Sequence, residues 1–420
     1  MARKTKTTIE VEEIVYECCC GMDIHKANIT ACLNIGGKKE VRTYGTMTDE
    51  LLRMSAWLKD NKVEMVAMES TGSYWKPVFN ILEAESVPAM LVNAQHVKNL
   101  SAPKTDVRDA RWLSNLLRHG LLRASFVPTR DNRELRELVR YRSSLCDDST
   151  RALNRIEKVL QGANIKLSSV ISTTGTKTEL SIIKALADGE SDGEALSNLA
   201  KGTLKYKIPE IKRALNGLIG DHQRLMLKSM YNHLTQINDE IAVIEAEIDK
   251  RMEKDKDIIE RLDGIPGVGK TTAQAILSEI GTDMNQFPTE KNLAAWAGVC
   301  PVQNESAGKR KSGKTRKGNS NLKKTLVQCA NSASHTKDSY LSAQFRRIAA
   351  RRGRKRAIVA LAHTIVIICY YMISEGVCYQ DLGADFFDKR NKKEVVKRSI
   401  RRIEALGYEV MIKPKLMEAS

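Results

Sequence analysis

Short apolar runs alternate with helix-like segments over the first 165 residues, and few folds accommodate that order. The segment "ECCCGMDIHKANITACLNI" contains two strand-like runs on either side of Lys26–Asn28, and short apolar strands are predicted at Val63–Ser70 and Val87–Asn93. The helix-like "YWKPVFNILEAE" lies between the latter two, and another helix is predicted to begin near Thr105. This alternation indicates an α/β domain in which at least part of the sheet is parallel.

The rest of the chain has mainly helical patterns. A helical pattern runs from Arg133 to about Leu160, whereas residues 166–220 are polar and predicted to be irregular. From Asp263 to about Val377 the pattern is helical again, with Gly-rich and Lys-rich loops. We therefore predict four parts: an α/β domain (1–165), an insert with a coiled-coil arm (166–262), a mostly α-helical domain (263–377) and a basic tail (378–420).

A strict apolar heptad lies in the middle of the chain. Its spacing alternates between three and four residues, which keeps one apolar seam on a single helix face. The seam residues are Leu227, Met230, Leu234, Ile237, Ile241, Ile244 and Ile248. The seam predicts a coiled-coil arm for self-association, and a single amphipathic helix packed on its own domain is the alternative.

The charge balance favours a polyanionic partner. The 420 residues include 68 Lys and Arg against 51 Asp and Glu, a formal net charge of +17. Each phosphate that a cation neutralises releases condensed counterions, so clustered positive charge favours nucleic acid over a merely solvated surface. We therefore predict that the chain binds nucleic acid.

Cysteine usage and apolar segments bear on the cellular compartment. The nine cysteines include no C-x-x-C pair, which predicts reduced thiols in a cytoplasmic protein, and neither a disulfide frame nor a zinc site. The opening "MARKTKTTIEVEEIVYE" lacks the apolar core of a signal peptide. The apolar segment Ala357–Ile373 lies at the short limit of a membrane span and contains His363 and Thr364. We predict a buried core helix there, and no membrane association.

Four carboxylates have positions that suggest metal ligands. Asp23 lies in the middle of the first strand, where a buried charge needs a partner or a metal. Glu69 ends a later strand, and Asp106 and Asp109 share one face at a helix start. A helix N-cap role for Asp106 and a surface role for Glu69 are the alternatives. Together the four occupy the ligand positions of an RNase H-like fold, where two divalent cations about 3.5–4 Å apart would flank a scissile phosphate.

The stretch "RLDGIPGVGKTTAQAIL", residues 261–277, matches the phosphate-binding P-loop pattern. A P-loop follows a buried strand, whereas the preceding "DKRMEKDKDIIERLD" predicts a charged amphipathic helix. We therefore predict a helix-hairpin-helix, with a P-loop ATPase as the alternative. In that motif Gly267 and Gly269 permit close backbone approach, and N–H groups at the second helix start bind a backbone phosphate. Lys270 would add a positive charge.

A basic loop follows further along the chain. Residues 309–324 include eight Lys or Arg and no acid, whereas a solvated charged face normally carries compensating acids. The cations predicted to hold DNA or RNA backbone are Lys309, Arg310, Lys314, Arg316 and Lys317. Ser306 stands just before this loop, although a single serine in a Ser-rich loop is by itself a weak nucleophile candidate.

Several motifs resemble those of one known family, the DEDD-type insertion-sequence transposases, whose recombinases are guided by a bridge RNA. The similar segments are "GMDIHK", "ESTGSYW", "VNAQHVKNLSAPKTDVRDARWLSNLLRHGLL" and "LRELVRYRSSLCDDSTRALNRIEKVLQGANIKL". The resemblance implies a RuvC-like N-terminal domain in which Asp23, Glu69, Asp106 and Asp109 are the metal ligands. It also implies a tetramer in which the RNA supplies base-pairing specificity.

The second half of the chain resembles the C-terminal transposase domain of the same family. The similar block begins at "GIPGVGKTTAQAILSEIG" and ends at "GNSNLKKTLVQCA", and "RKRAIVALAHTIVIICYYMISEGVCY" resembles the family's closing helix. The family's nucleophilic serine lies in a Ser-Gly-rich motif ahead of the Lys/Gly loop, and Ser306 is the matching position. The family often has Ser-Ser-Gly-Gly where this chain has Glu305-Ser306-Ala307-Gly308, which leaves Ser312 as the alternative.

These features predict a Mg²⁺-dependent, RNA-guided DNA recombinase that mobilises an insertion element, with Mn²⁺ as the alternative metal. Ser306 would form a covalent 5′-phosphoserine link that preserves bond energy for rejoining. The expected partners are element-end and target DNA, a structured guide RNA and further copies of the chain, as a dimer or tetramer. The alternatives are a RuvC-like nuclease or Holliday-junction resolvase that uses water, and a non-catalytic nucleic-acid binder.

Overall fold

The computed structural model describes residues 14–70, 72–92, 105–302, 305, 306, 309, 310 and 314–412, with the backbone alone at 305, 306, 309 and 310. The chain forms two compact units, Met1–Arg130 and Asp131–Ser420. The first unit is a mixed α/β sheet with helices, and the second is mostly helical. This order agrees with the predicted α/β domain followed by a helical region.

The first unit is built on a five-stranded sheet with the order β3-β2-β1-β4-β5. The strands are β1 (Cys18–Ile24), β2 (Asn28–Ile35), β3 (Lys38–Gly45), β4 (Met65–Glu69) and β5 (Ala89–Val92). Strand β2 runs antiparallel to both of its neighbours, β1 and β3, whereas β1, β4 and β5 are mutually parallel. A partly parallel sheet is therefore present, as the sequence predicts, and it is consistent with an RNase H-like domain.

Three helices pack on this sheet: α1 (Thr48–Asp60), α2 (Trp75–Ala84) and α3 (Asp106–Arg118). Because side chains alternate along a strand, β1 serves both faces of the sheet. Cys20 and Met22 join the apolar core that includes residues of α1 and α2. On the other face Cys19 packs with Leu117 of α3. Asp23 has the same parity as Cys19 and therefore lies on the α3 face.

Gly21 lets α3 approach β1 more closely than any side chain would allow. A Cβ atom at this position would lie 2.4 Å from both the carbonyl oxygen of Ala110 and the backbone nitrogen of Ser114. Real Cβ atoms essentially never approach backbone atoms that closely. The backbone of α3 therefore rests directly on β1, and this contact places the first turn of α3 near the end of the strand.

The second unit begins with a helical subdomain. Its α-helices are α4 (Arg130–Gly162), α5 (Lys177–Ala187), α6 (Gly193–Ser197), α7 (Ile208–Ala214) and α8 (Asp221–Arg251). The expectation of an irregular segment at residues 166–220 is wrong, because α5, α6 and α7 lie within it. These short helices bury apolar residues, among them Ile182, Leu186 and Ile211, in one core with residues of α4 and α8.

The heptad seam lies on α8 and packs within the chain. Leu227, Leu234 and Ile237 are buried in the core shared with α4, and the partly buried Met230, Ile241 and Ile244 pack against it. Polar side chains also join α8 to α4: Arg142 to Glu245 at 2.7 Å and Arg251 to Glu134 at 3.3 Å. The seam is therefore covered by the chain's own helices, the alternative that the sequence left open, and a self-associating coiled coil is not confirmed.

The remaining helices form a second helical core. They are α9 (Lys256–Asp263), α10 (Lys270–Ile280), α11 (Glu290–Trp296), α12 (Ser320–Ala333), α13 (Tyr340–Arg352) and α14 (Arg354–Ser374). Between α11 and α12 lies a short ribbon of β6 (Glu305–Ser306) and β7 (Lys309–Arg310). The tail has the helices α15 (Phe386–Arg390) and α16 (Lys392–Glu404), and no residue of α16 is buried.

Among the described residues, one helix is long and apolar enough to cross a membrane, and it corresponds to α14. This helix packs against α11, α12 and α13. Leu361, Ile365 and Cys369 are fully buried in that packing. These contacts favour the core-helix interpretation of the apolar segment.

Candidate functional site

Two of the predicted metal ligands stand side by side at the carboxyl ends of parallel strands. Met22 of β1 pairs with Met68 of β4, so the next residues, Asp23 and Glu69, occupy neighbouring positions at the same sheet edge. Ligand sites of α/β sheets favour this edge, because the strands end there and polar side chains can leave the core. Glu69 is half-buried, as is Asp23.

The other two predicted ligands come from the first turn of α3. Asp106 is the first residue of this helix and Asp109 lies one turn further, on the same face. Both carboxylates are close enough for their charges to raise the pKa of Asp23, although burial of Asp23 is the larger cause of that rise. Thr105 is the N-cap residue, so the alternative role of Asp106 as an N-cap is wrong.

His25 belongs to this carboxylate cluster, and the sequence prediction missed it. Its Nε2 atom lies 3.3 Å from Oδ2 of Asp23 and 3.4 Å from Oδ1 of Asp106. Within the described part of the chain, these three residues form a group whose ligand atoms all lie within 4.8 Å of one another. Glu69 and Asp109 stand outside that group. Alternation along an extended chain was the available signal, because positions 23 and 25 project to the same face.

The cluster suits a hard divalent cation. Carboxylate oxygens are the ligands that Mg²⁺ and Mn²⁺ prefer in proteins, and several of them converge here from two strands and one helix. The raised pKa of Asp23 reflects partial burial and the nearby negative charges of Asp106 and Asp109. A cation between these oxygens would offset both costs. The donor set therefore fits a metal centre.

The glycine turn, which we define as residues 264–270, lies in the second unit between α9 and α10. The preceding element is a helix and not a strand, so the P-loop alternative lacks its required context. Gly267 has φ of 84°, and a Cβ atom there would lie 2.5 Å from backbone atoms of Ala333 and Cys329 on α12. Packing against α12 is thus sufficient to require this glycine. Two helices joined by a turn are present, but the predicted helix-hairpin-helix is not confirmed and its role in binding DNA stays a prediction.

The two remaining groups predicted in this turn already have partners. The backbone N–H of Gly269 donates to Oγ1 of Thr272 at 2.8 Å. The ammonium of Lys270 lies 2.7 Å from Oδ2 of Asp249 on α8. Both members of this ion pair are largely exposed, and such pairs contribute roughly 0–1 kcal/mol, so Lys270 can exchange Asp249 for a phosphate at little cost.

Ser306 lies at the end of the β6–β7 ribbon. The backbones of Ser306 and Lys309 are paired, as are those of Glu305 and Arg310. Further down, Val302 N–H donates to the carbonyl oxygen of Lys314 at 2.8 Å, so the loop returns on itself. The ribbon therefore pairs the backbone of Ser306 with that of Lys309, the residue before Arg310. Arg316 and Lys317 are exposed beyond the base of the ribbon, and Ser312 lies outside the described residues.

A buried carboxylate holds the base of this region in place. Glu279 of α10 accepts hydrogen bonds from Nε and Nη2 of Arg140, at 2.7 and 2.9 Å, and from Nδ2 of Asn319, at 2.6 Å. Arg136 lies 3.2 Å from the same carboxylate. Asn319 caps α12 directly after the basic loop. The network thus ties α4, α10 and the end of the basic loop together.

Comparisons with known proteins agree with these observations. A family model for DEDD transposases of the IS110 type, described as "Transposase", matches residues 20–165. A second model, described as "Transposase IS116/IS110/IS902 family", matches residues 259–346. Together the two models cover more than half of the chain. A DEDD-type domain indicates dependence on a divalent metal.

Individual relatives share the same description. The transposase for insertion sequence element IS1111A of Coxiella burnetii is 26% identical over 326 residues, which are 76% of this chain and 80% of the relative. A probable family 20 transposase of Pseudomonas aeruginosa is 24% identical over 327 residues, 75% and 86% of the two chains. The transposase for IS1328 of Yersinia enterocolitica is 30% identical over 106 residues, 25% and 31% of the two chains. This chain therefore belongs to the IS110 family of insertion-sequence transposases.

Proposed function

We propose that this transposase is a Mg²⁺-dependent, RNA-guided DNA recombinase that cuts and rejoins DNA through a serine–phosphate intermediate. The observation that carries the proposal is the convergence of carboxylates at one sheet edge. Asp23 and Glu69 occupy neighbouring positions near the ends of parallel strands there, Asp106 groups closely with Asp23 and His25, and the charge of Asp109 also acts on Asp23. Family membership supplies the reaction class, which is DNA transposition.

The four carboxylates and His25 would form the metal centre. Two divalent cations held by Asp23, Glu69, Asp106 and Asp109 would supply charge neutralisation at the scissile phosphate and at the leaving oxygen. The imidazole of His25 lies between two of these carboxylates and separates their negative charges, a role that a bound cation would take over.

Ser306 is the proposed nucleophile. Its Oγ would attack the phosphorus, so that an Oγ–P bond forms and the bond from phosphorus to the 3′ oxygen breaks. The Oγ proton passes to solvent, and the 3′ oxygen leaves with a proton as a free hydroxyl. A 3′ hydroxyl of the second strand would then attack the phosphoserine and regenerate Ser306, without net hydrolysis.

The basic groups around the serine would hold the sugar–phosphate backbone. Lys309 and Arg310 follow Ser306 on the paired strand, and Lys314, Arg316 and Lys317 continue the same loop. Each can neutralise a phosphate, which contributes affinity and positions the strand without specifying its sequence. At the glycine turn Lys270 would neutralise a phosphate by leaving Asp249, while Gly267 and Gly269 would let the backbone of the turn lie close to that phosphate.

The carboxylates belong to the first unit and Ser306 to the second. A reaction that needs both requires them to meet, either within one chain or between chains. A dimer or tetramer on DNA would satisfy this requirement. Sequence specificity would come from base pairing with a bound guide RNA, because the described candidate contacts are all of the phosphate-binding type.

The decisive experiment is capture of the covalent intermediate. The full chain, purified with the RNA that accompanies it from cells carrying its own element, is incubated with nicked element-end DNA labelled on the 3′ side of the cut, the fragment that keeps the 5′ phosphate. A labelled protein–DNA adduct is expected for the parent and for Ser312→Ala, and no adduct for Ser306→Ala or Asp23→Ala. Mass spectrometry of the digested adduct should place the phosphate on Ser306. An adduct on Ser312 would transfer the nucleophile to that residue.

A hydrolytic nuclease or junction resolvase is the second candidate, because the carboxylate cluster lies entirely in the first unit and could activate water alone. In that case the parent forms no adduct and Ser306→Ala cuts at the parent's rate, while Asp23→Ala is inactive. RNA sequencing of the purified material tests guidance separately. Random cellular RNA, in place of one structured species, would remove the RNA-guided part of the proposal.

A further inference from the structure

Helices α13 and α14 meet at a strongly basic corner that no predicted site includes. Gly353, with φ of 81°, joins the two helices. Seven of the eleven residues from 346 to 356 are Lys or Arg, and all seven are exposed. We call these residues the basic corner: Arg346, Arg347, Arg351, Arg352, Arg354, Lys355 and Arg356.

The charge of the basic corner is not compensated. Neither α13 nor α14 contains an Asp or Glu. Within the residues that the structure describes, no cation of the corner forms an ion pair with a carboxylate, whereas exposed cations elsewhere do, such as Lys212 with Glu194 and Lys324 with Asp147. The corner therefore presents a dense positive field to solvent.

Neutral partners hold four of these side chains in place, among them Arg351, whose Nε donates to the carbonyl oxygen of Arg347 at 3.3 Å. Nη2 of Arg346 donates to Oγ of Ser342 at 3.1 Å, and Nη2 of Arg354 donates to Oδ1 of Asn331 at 3.0 Å. The guanidinium of Arg347 lies 5.3 Å from the centre of the Phe387 ring. Such contacts fix side-chain positions without neutralising charge. The corner is thus partly pre-organised for an external anion.

The cations at the start of α14 oppose helix stability, unlike those at the end of α13. Arg351 and Arg352 end α13, where cations complement the helix dipole. Arg354, Lys355 and Arg356 form the first turn of α14, which has no acidic residue, although carboxylates are the favourable residues at a helix start. Three cations in that turn are unfavourable for the isolated chain. A bound polyanion would remove both this cost and the repulsion among the seven cations.

We propose that the basic corner binds the sugar–phosphate backbone of a nucleic acid. It would be an additional contact surface, distinct from the β6–β7 ribbon and the glycine turn. Closely spaced phosphates are the anions that match such a density of guanidinium groups. Binding through backbone phosphates would be independent of base sequence. The inference rests on the proposed function only in taking a polynucleotide as the partner, and DNA duplex and structured RNA share the required chemistry.

The test uses the full chain with four corner cations neutralised together: Arg351→Gln, Arg352→Gln, Lys355→Gln and Arg356→Gln. Arg346, Arg347 and Arg354 stay unchanged, because their guanidinium groups contact other side chains, whereas Arg351 bonds only to a carbonyl oxygen of its own helix. The control variant removes four exposed cations of the helical subdomain: Lys184→Gln, Lys201→Gln, Lys205→Gln and Arg213→Gln. Both variants change the formal net charge equally. Circular dichroism should show both folded, with the corner variant melting at or above the parent's Tm.

Binding is measured by fluorescence anisotropy on a DNA duplex of arbitrary sequence and on an RNA hairpin, over about 50–200 mM salt. The slope of log affinity against log salt concentration is negative. If each of the four cations neutralises one phosphate, this slope should become less negative by about 3.6 on the duplex. The control variant should change it by less than about 1. The probe that loses affinity identifies the nucleic acid.

Equal slopes for the corner and control variants on both probes would overturn the proposal. It would also fail if the corner variant lost binding only to vesicles containing phosphatidylserine and kept its binding to both nucleic acids. Formation of the Ser306 adduct is scored separately. A chain that binds through the corner but forms no adduct would contradict the recombinase mechanism and leave this inference intact.

Discussion

Replacing Glu279 with alanine should destabilise the second unit far more than loss of an ordinary surface ion pair. The side chains of Glu279 and Arg136 are only 4% and 14% exposed, and they lie 3.2 Å apart. Burial already lowers the pKa of Arg136 to about 10, although the charge of Glu279 opposes that shift. In Glu279→Ala the guanidinium would remain buried without its counter-charge.

The size of the stability loss depends on which interactions of Arg136 and Arg140 remain after Glu279 is replaced. Removing one partner of a buried ion pair costs roughly 3–5 kcal/mol. Arg136 keeps its bonds to the carbonyl oxygens of Ser278 and Glu279, which favours the lower end. Arg140 is 39% exposed, so water replaces most of its lost interaction. We expect a loss of about 3 kcal/mol in the free energy of unfolding of the second unit.

Equilibrium urea unfolding followed by circular dichroism measures the loss. The matched control is Asp147→Ala, which removes an ion pair to Lys324 in which both side chains are about half exposed, 51% and 45%, and it should cost less than about 1 kcal/mol. Hydrogen exchange should also rise at the start of α12 in Glu279→Ala, because Asn319 loses its bond to Glu279. If both variants unfold at the same urea concentration, the buried-charge argument is refuted.

Three further substitutions test other parts of the structure. Gly21→Ala should destabilise the first unit by roughly 1–3 kcal/mol and weaken Mg²⁺ binding in titration calorimetry, since α3 must move away from β1, whereas Gly45→Ala should do neither. His25→Ala should lower Tm in chelator but not in excess Mg²⁺, because a cation then separates the carboxylates; an equal loss in both would contradict that role. Burial lowers the pKa of His363, so its contribution to stability is complete above pH 6.5 and decreases as the pH falls toward the folded-state pKa. Urea unfolding at neutral and mildly acidic pH should therefore show a smaller acid loss for His363→Gln than for the parent.

Much of the first unit was predictable because its signals are local. The strands β1, β4 and β5 are short apolar runs, and Asp23 is conspicuous as a charge inside one of them. Strand β3 was missed because it is a largely exposed edge strand, "KKEVRTYG", with no alternating apolar pattern. His25 was missed for a different reason. It stands just past the strand end, and although its spacing from Asp23 puts both on one face, the local sequence does not show that α3 brings Asp106 opposite it.

The second unit shows what local patterns leave undetermined. A heptad seam has the same spacing whether its partner is another chain or the chain's own helices, so the seam of α8 could not distinguish the two. The short helices between 166 and 220 are stabilised by burial against α8, which no window of their own sequence contains. The link between Glu279 and Arg136 joins positions 143 residues apart, a pairing that charge patterns alone do not reveal.

The packing of α8 against α4 has a consequence for how chains of this family can change in length. A helix of 31 residues extends about 46 Å, and the seam keeps its facing only if an insertion adds a whole heptad. The pairs from Arg142 to Glu245 and from Arg251 to Glu134 also set the alignment of the two antiparallel helices. An insertion in one helix between these two pairs would move one pair out of alignment, unless the other helix gained the same number of residues. Among related chains, α4 and α8 should therefore lengthen or shorten together, by equal multiples of seven.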